Sequence, residues 1–194
     1  MECFPSMNLR CFIAIEIPDR IRQGIGVLIE TLKKYSADVK WIPEENLHVT
    51  LKFLGNTPET LLPDIRDSLT AIVASYEPFY ITIGDTGVFP NRKIPRVCWV
   101  GIKDTDTLKT LQSDIENSMK RLGFNTEERE FNAHLTIGRV HSRQGMISVV
   151  NELDRCKDQI FGGMEVKSIS IMRSELKPEG AKYTRLYEAR FGKN

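Results

Sequence analysis

His48 and Thr50 stand two residues apart in "NLHVTLKFLG", Asn46 to Gly55, and His134 and Thr136 repeat the frame in "FNAHLTIGRV", Phe131 to Val140. The chain has three histidines, and two of them therefore open the same phrase, His-x-Thr-aliphatic. Side chains alternate faces along a strand. Leu47, Val49, Leu51 and Phe53 are then expected to point into a core, with His48, Thr50 and Lys52 on the other face. In the second copy Leu135 and Ile137 go inward while His134 and Thr136 share the opposite face. If two such strands face each other, two imidazoles and two hydroxyls meet in one cleft. One neutral imidazole can take a proton from an attacking water or hydroxyl, and one imidazolium can give a proton to a departing oxygen. Histidine suits both roles, because a pKa of roughly 6.5 leaves both forms accessible near neutrality. Threonine hydroxyls can donate to non-bridging phosphate oxygens. Charge building on such oxygens wants a fixed donor or cation, and Arg139 is the candidate. Strict alternation would put Arg139 on the core face with Ile137, so a bulge or strand end at Gly138 must turn it.

Other chemistries fit less well. A single histidine on a strand is more often structural, but two matching polar interruptions of apolar strands argue against accident. Structural zinc sites usually take four protein ligands and catalytic ones three, whereas this frame supplies histidine and threonine, a poor zinc ligand. His141 could add a third imidazole, yet it lies beyond the strand beside Ser142 and Arg143, where an exposed loop is expected. No GxSxG nucleophile elbow is present, and "GIG" at Gly24–Gly26 falls in mid-helix with no P-loop after it. Two-histidine acid–base catalysis without metal or cofactor is the reading that remains.

These side chains need a scaffold, and the periodicity predicts one. After Pro18, Asp19 is placed to cap a helix with apolar Ile21, Ile25, Leu28 and Leu32. Leu62, Ile65, Leu69 and Ile72 repeat that spacing after Pro58. Leu108, Leu111, Ile115, Met119 and Leu122 form a third stripe, opened near Thr105–Thr107 and stopped by Gly123. A weaker helix is expected over about 147–156. Strands are expected over 9–17, 39–42, 47–54, 79–89, 97–102, 133–140, 166–176 and 183–191, from β-branched and aromatic content and Gly, Pro or Asn boundaries. The loops "FPNRKIPR" and "KPEGAK" suit two antiparallel hairpins. Helices interleaved with hairpins imply an α+β fold. Each half also offers strand, helix, His-x-Thr strand, helix and hairpin, an echo that an old duplication would leave as two lobes about a pseudo-twofold axis. No linker separates the halves, so residues 1–194 are expected to form one compact bilobal domain.

Bulk composition sets outer limits. A chain of 194 residues can bury a core, and its 41% apolar and 27% charged residues are near globular averages. A formal net charge of +1 argues against a grip on long nucleic acid by broad phosphate neutralisation, but not against one small phosphate ligand. No apolar run approaches the roughly 20 residues that span a bilayer. "MECFPSMNLR" does not read as a secretory signal, and Met7 is an alternative start. Cys3, Cys11, Cys98 and Cys156 lack CxxC spacing, with Cys11 and Cys98 in expected buried strands. Reduced thiols in a cytoplasmic protein are the expectation.

At its two phrases the sequence resembles the two-histidine (2H) phosphoesterase superfamily, whose mark is a pair of HxTx motifs, here His48–Leu51 and His134–Ile137. More closely it is similar to the bacterial and archaeal RNA 2′,3′-cyclic phosphodiesterases, long called 2′-5′ RNA ligases. The likeness extends through "RCFIAIEIP", "WIPEENLHVTLKFLG", "PRVCWVGI", "FNAHLTIGRV" and "SELKPEGAKYTRLYE". The resemblance implies a bilobal fold of two antiparallel sheets with helices outside, and a metal-free central cleft. It implies that water opens a terminal 2′,3′-cyclic phosphate of RNA or a small nucleotide to leave a 2′-phosphate, the protein acting as a monomer. It further implies His48 as proton donor, His134 as proton acceptor, and Thr50, Thr136 and Arg139 as substrate-binding residues. Ser174 and Tyr183 match a C-terminal family pattern, with strand packing as an equal explanation. Phe12 and Trp41 are candidates for stacking on a base or for filling space. The alternatives are a superfamily member that binds a nucleotide without turnover, and 2′-5′ ligation by the reverse reaction.

Overall fold

A computed structural model of the chain describes residues 8–178 and 180–192. Cys3, Met7 and Glu179 lie outside the described residues. The elements run β1 (Asn8–Glu16), α1 (Asp19–Lys33), β2 (Val39–Trp41), β3 (His48–Pro58), α2 (Leu62–Val73), β4 (Phe79–Phe89), β5 (Val97–Lys103), α3 (Asp106–Arg121), β6 (His134–Val140), α4 (Met146–Arg155), β7 (Ile160–Val166), β8 (Ser168–Lys177) and β9 (Gly180–Arg190). Two antiparallel sheets result, one in the order β3-β1-β8-β9 and one in the order β2-β6-β5-β4-β7.

The apolar stripes set the helix faces. Ile21, Ile25, Leu28 and Leu32 of α1 are buried, as are Leu108, Leu111, Ile115 and Met119 of α3. Each such side chain contributes roughly 1.5–3 kcal/mol by leaving water. In α2 the buried face is Ile65, Leu69 and Val73, turned slightly from the expected Leu62–Ile72 line. Asp19 is not the α1 cap. Pro18 holds that place in extended geometry without a side-chain cap bond, and Asp19 begins the helix paired with Arg22, where its charge still complements the helix dipole. Gly123 ends α3 with a φ of +91°, a conformation glycine adopts without a Cβ penalty. Cys11 and Cys98 are buried in β1 and β5 as free thiols, and burial pushes Cys98 up to about 12.

The sequence halves are interlaced. The β4–β5 hairpin, which follows the first motif, pairs beside the second motif's strand β6. The β8–β9 hairpin, which follows the second motif, pairs beside β1 and so beside the first motif's strand β3. Superposing the sheet orders matches β3 with β6, β1 with β5, β8 with β4 and β9 with β7, leaving β2 as an extra edge strand. Strand β7 was not expected from the sequence. Its "IFGGMEV" lacks alternation, Ile160 is exposed, and only pairing with β4 makes it a strand.

Lys52 ties these parts together and departs from the expected pattern. It is 2% exposed. Its Nζ donates to Glu116 Oε1 at 2.7 Å and to the Asn125 carbonyl at 2.8 Å, while Glu116 Oε1 accepts the Glu127 N–H at 2.8 Å. The ammonium thus fastens β3 to α3 and to the segment leading toward the second motif. Breaking a buried pair strands a charge, at a cost of about 3–5 kcal/mol. Lys52→Met should therefore lower the urea midpoint strongly, and adding Glu116→Leu should recover much of the loss. A single variant as stable as wild type would show that the pair is not part of the folded core's stability.

Candidate active site

Both motif strands carry a bulge at the same place. Thr50 pairs with Ala14 and Lys52 with Ile13, so Leu51 is the extra residue on β3. Thr136 pairs with Trp99 and Gly138 with Cys98, so Ile137 is extra on β6. Two successive inward residues then reverse the alternation. Leu51 and Lys52 are both buried, as are Ile137 and Gly138. The residue that follows returns to the face of the histidine: Phe53, 55% exposed, in one copy and Arg139, also exposed, in the other. Phe53 was expected in the core and Lys52 on the open face; the bulge exchanges them. It also turns Arg139 outward, beginning one residue before Gly138. Gly138 itself lies beneath the Trp41 ring, and a Cβ there would meet Trp41 Cε3 at 2.8 Å, so only glycine fits without displacing the tryptophan.

Asparagine is a further repeated residue that the strand pattern does not single out. Asn46 and Asn132 each stand two before the histidine, and each backbone carbonyl lies 2.7 Å from the ring Nδ1 of His48 or His134. A carbonyl only accepts, so Nδ1 carries a proton in both rings. That fixes the tautomer and leaves each Nε2 as the titrating atom. Asn46 is held in turn by donating from Nδ2 to the Ala181 carbonyl at 2.8 Å.

The rings are braced by aromatics. Phe12 lies 4.7 Å from His48 between centroids, and Tyr183 meets it edge-on at 5.3 Å. Phe89 meets His134 edge-on at 5.1 Å and stacks on Trp99 at 5.1 Å. Phe12 is 3% exposed, so it supports His48 and offers no face to a base. Trp41 packs toward the core over Gly138. Tyr183 pairs with Ser174 across β8–β9, which brings that C-terminal pair to the His48 side. His141 is exposed beyond β6.

Burial pushes the His48 imidazole below its ordinary value, against an upward pull from the Asn46 carbonyl; Arg139 lowers it further and Glu16 raises it. Burial likewise lowers His134, with the Asn132 carbonyl opposing and Arg139 reinforcing. Strands β3 and β6 touch although they belong to different sheets, and Arg139 acts on both imidazoles. Glu16, opposite His48 on β1, acts on His48 alone. It accepts from Ser170 Oγ at 2.9 Å and Arg185 Nη1 at 3.2 Å.

Thr50 and Thr136 are half-buried on the histidine face. Thr31, Thr57, Thr70, Thr86 and Thr110 donate their hydroxyls to backbone carbonyls. Thr50 and Thr136 have no such partner among the described residues. No group of three or more His, Cys, Asp or Glu among the described residues could hold a metal ion. No helix of the described residues is long and apolar enough to cross a membrane.

Two interlaced antiparallel sheets, helices outside them and a His-x-Thr pair from each define the bilobal 2H phosphoesterase fold. The chain belongs to the 2′-5′ RNA ligase superfamily, whose family model matches residues 17–178. It is 36% identical to a protein of Methanothermobacter thermautotrophicus named RNA 2′,3′-cyclic phosphodiesterase, over 92% of this chain and 96% of that one. A Thermotoga maritima protein of the same name is 33% identical over 94% and 96%. Among solved structures, TT0787 of Thermus thermophilus matches with a TM-score of 0.80 at 26% identity, covering 96% of this chain and 100% of that one. LigT of E. coli matches in fold with a TM-score of 0.72 at 22% identity, over 97% and 100%.

Proposed function

We propose that the protein hydrolyses a terminal 2′,3′-cyclic phosphate of RNA to a 2′-phosphomonoester by metal-independent acid–base catalysis with His48 and His134. The observation that carries this is the matched Nδ1–H bond to Asn46 and Asn132, which leaves two Nε2 atoms to exchange protons beside one shared arginine. The relatives' names supply the substrate class.

In this mechanism His134 Nε2 takes a proton from water as its oxygen bonds to phosphorus. The phosphorus–O3′ bond breaks, and His48 Nε2–H protonates the departing O3′. The products are a 2′-phosphate and a free 3′-hydroxyl, with His134 protonated and His48 neutral until solvent restores both. Glu16 is the asymmetry that supports this division, since a carboxylate beside His48 alone favours its protonated form. Arg139 and the Thr50 and Thr136 hydroxyls hold the non-bridging oxygens, where negative charge grows.

Turnover of an RNA ending in a 2′,3′-cyclic phosphate is the direct test, with product position read by phosphorus NMR. A 2′-phosphate formed at an unchanged rate in excess EDTA is expected. Tight binding without product would identify a nucleotide-binding module instead, and loss of rate restored by zinc or manganese would revive a metal mechanism.

The depressed imidazoles predict a specific pH profile. Activity needs one ring neutral and the other protonated, so kcat/KM, which reports the free protein, should be bell-shaped with its optimum below about 6.5, the ordinary histidine value. The substrate's anionic phosphate favours imidazolium, so the kcat optimum should lie at higher pH. Coincident optima would argue that the phosphate does not sit beside the acid. Stability carries the same sign. Below about 6.5 the unfolded chain binds protons that the native rings resist, so native stability should fall as pH drops through that range.

A further inference from the structure

The extra strand of the second sheet carries a charge that the mechanism above does not use. Lys40 of β2 pairs directly with Arg139 of β6, so both side chains leave the sheet on the same face, that of His134 and Thr136. Val39 and Trp41, the neighbours of Lys40, face the core, which fixes Lys40 outward, and both cations are exposed. Like charges directly opposite on neighbouring strands are destabilising unless an anion lies between or beside them. Neither Lys40 nor Arg139 has an ion-pair partner among the described residues, whereas Arg92, Arg173, Arg185 and Arg190 do.

The two sheets differ at this edge. In the first sheet β3 is the edge, with no strand beyond it among the described residues, and the position equivalent to Arg139 is Phe53. Strand β2 is the one element by which the second sheet exceeds the first, and it sets a second cation beside the first. Arg139 lies near enough to lower both imidazoles, and Lys40 stands beside it on the edge strand β2.

We propose that Lys40 binds the phosphodiester adjoining the reacting nucleotide, so that the β2–β6 edge directs the protein to RNA chain ends in preference to free cyclic mononucleotides. This rests on the cyclic-phosphate reading of the cleft and adds the track along which the rest of the chain leaves it. One placed lysine suits a chain whose net charge is only +1, because a single adjoining phosphate needs no long basic stripe.

Binding of products tests this apart from turnover. The probes are adenosine 2′-monophosphate and the dinucleotide ApA ending in a 2′-phosphate, which adds one internal phosphodiester, titrated calorimetrically over a series of KCl concentrations. Wild type should bind the dinucleotide more tightly, with a slope of log K against log salt steeper by about 0.7. Lys40→Gln should lower the dinucleotide-to-mononucleotide preference by roughly 1.5- to 5-fold, as expected for an exposed, screened contact, and remove the added slope. Lys40→Arg should keep both. An unchanged preference and slope in Lys40→Gln would overturn the proposal. So would an equal loss on both ligands, which would move Lys40 to the terminal phosphate, or a wild type with no preference. If wild type binds as expected but releases no product from cyclic substrate, the hydrolytic reading fails while Lys40 is still decided by its own slope.

Discussion

His48→Ala and His134→Ala are each expected to lower kcat on a 2′,3′-cyclic-phosphate RNA by 10²- to 10⁴-fold, the range for a lost general acid or base. The loss should appear in kcat more than in KM, since each ring acts on a proton that moves only in the transition state. The double variant should be little worse than either single one, because neither proton transfer is useful without its partner. Each single variant should also lose one limb of the bell-shaped pH profile. His134→Ala should remove the limb on which the base must be neutral, and His48→Ala the limb on which the acid must be protonated. Near-normal turnover by either variant would sink the assignment. Both rings are also packing units against Phe12, Tyr183 and Phe89, so His→Gln variants, which fill more of the space, should lose a comparable share of rate while staying nearer wild-type stability.

Much of this arrangement was legible in the residues, and what was not has identifiable causes. The His-x-Thr frame and the helical stripes of α1 and α3 are local patterns, and the structure keeps them: Ile21, Ile25, Leu108 and Leu111 are fully buried. A bulge near Gly138 was legible from the need to turn Arg139 outward, but the matching bulge on β3 was not, because an extra residue on a strand is defined by what lies opposite it. Leu51 and Ile137 look like ordinary inward residues until Ala14, Ile13, Cys98 and Trp99 set the register. The unread bulge on β3 exchanged Phe53 and Lys52, whereas on β6 the expected turn at Gly138 lies one residue earlier, at Ile137. The interlacing of the halves was hidden for the same reason, since hairpin loops say which strands pair with each other but not which sheet receives them. The Asn46 and Asn132 repeat is visible as Asn-x-His, yet its contact to the ring runs through the backbone carbonyl. Its meaning depends on a carbonyl reaching back to the ring two residues later, which a residue name does not reveal.

Removing the charge at Arg139 should produce the other large effect. Arg139→Gln deletes the cation shared by both halves of the site, and loss of one such preorganised donor is expected to cost on the order of 10²- to 10³-fold in kcat. It should also move the pH profile in a stated direction. Arg139 lowers both imidazoles, so in its absence both pKa values should rise, and the kcat/KM optimum should shift to higher pH. A purely structural role would not move that optimum. Arg139→Lys keeps the charge and should retain the original optimum, yet it should restore only part of the rate. A planar fork can hold two phosphoryl oxygens at once, whereas an ammonium is a point charge. Thr50→Val and Thr136→Val keep the β-branched shape that suits β3 and β6 while deleting a hydroxyl. Each should cost about 10- to 100-fold, in line with roughly 1.5–3 kcal/mol for a hydrogen bond to a charged group. If the arginine and threonine changes raise KM and spare kcat, these groups bind the ground state and transition state alike. The cleft would then be a phosphate-holding site whose rate comes from the histidines alone, and the claim that Arg139 answers the growing charge would be lost.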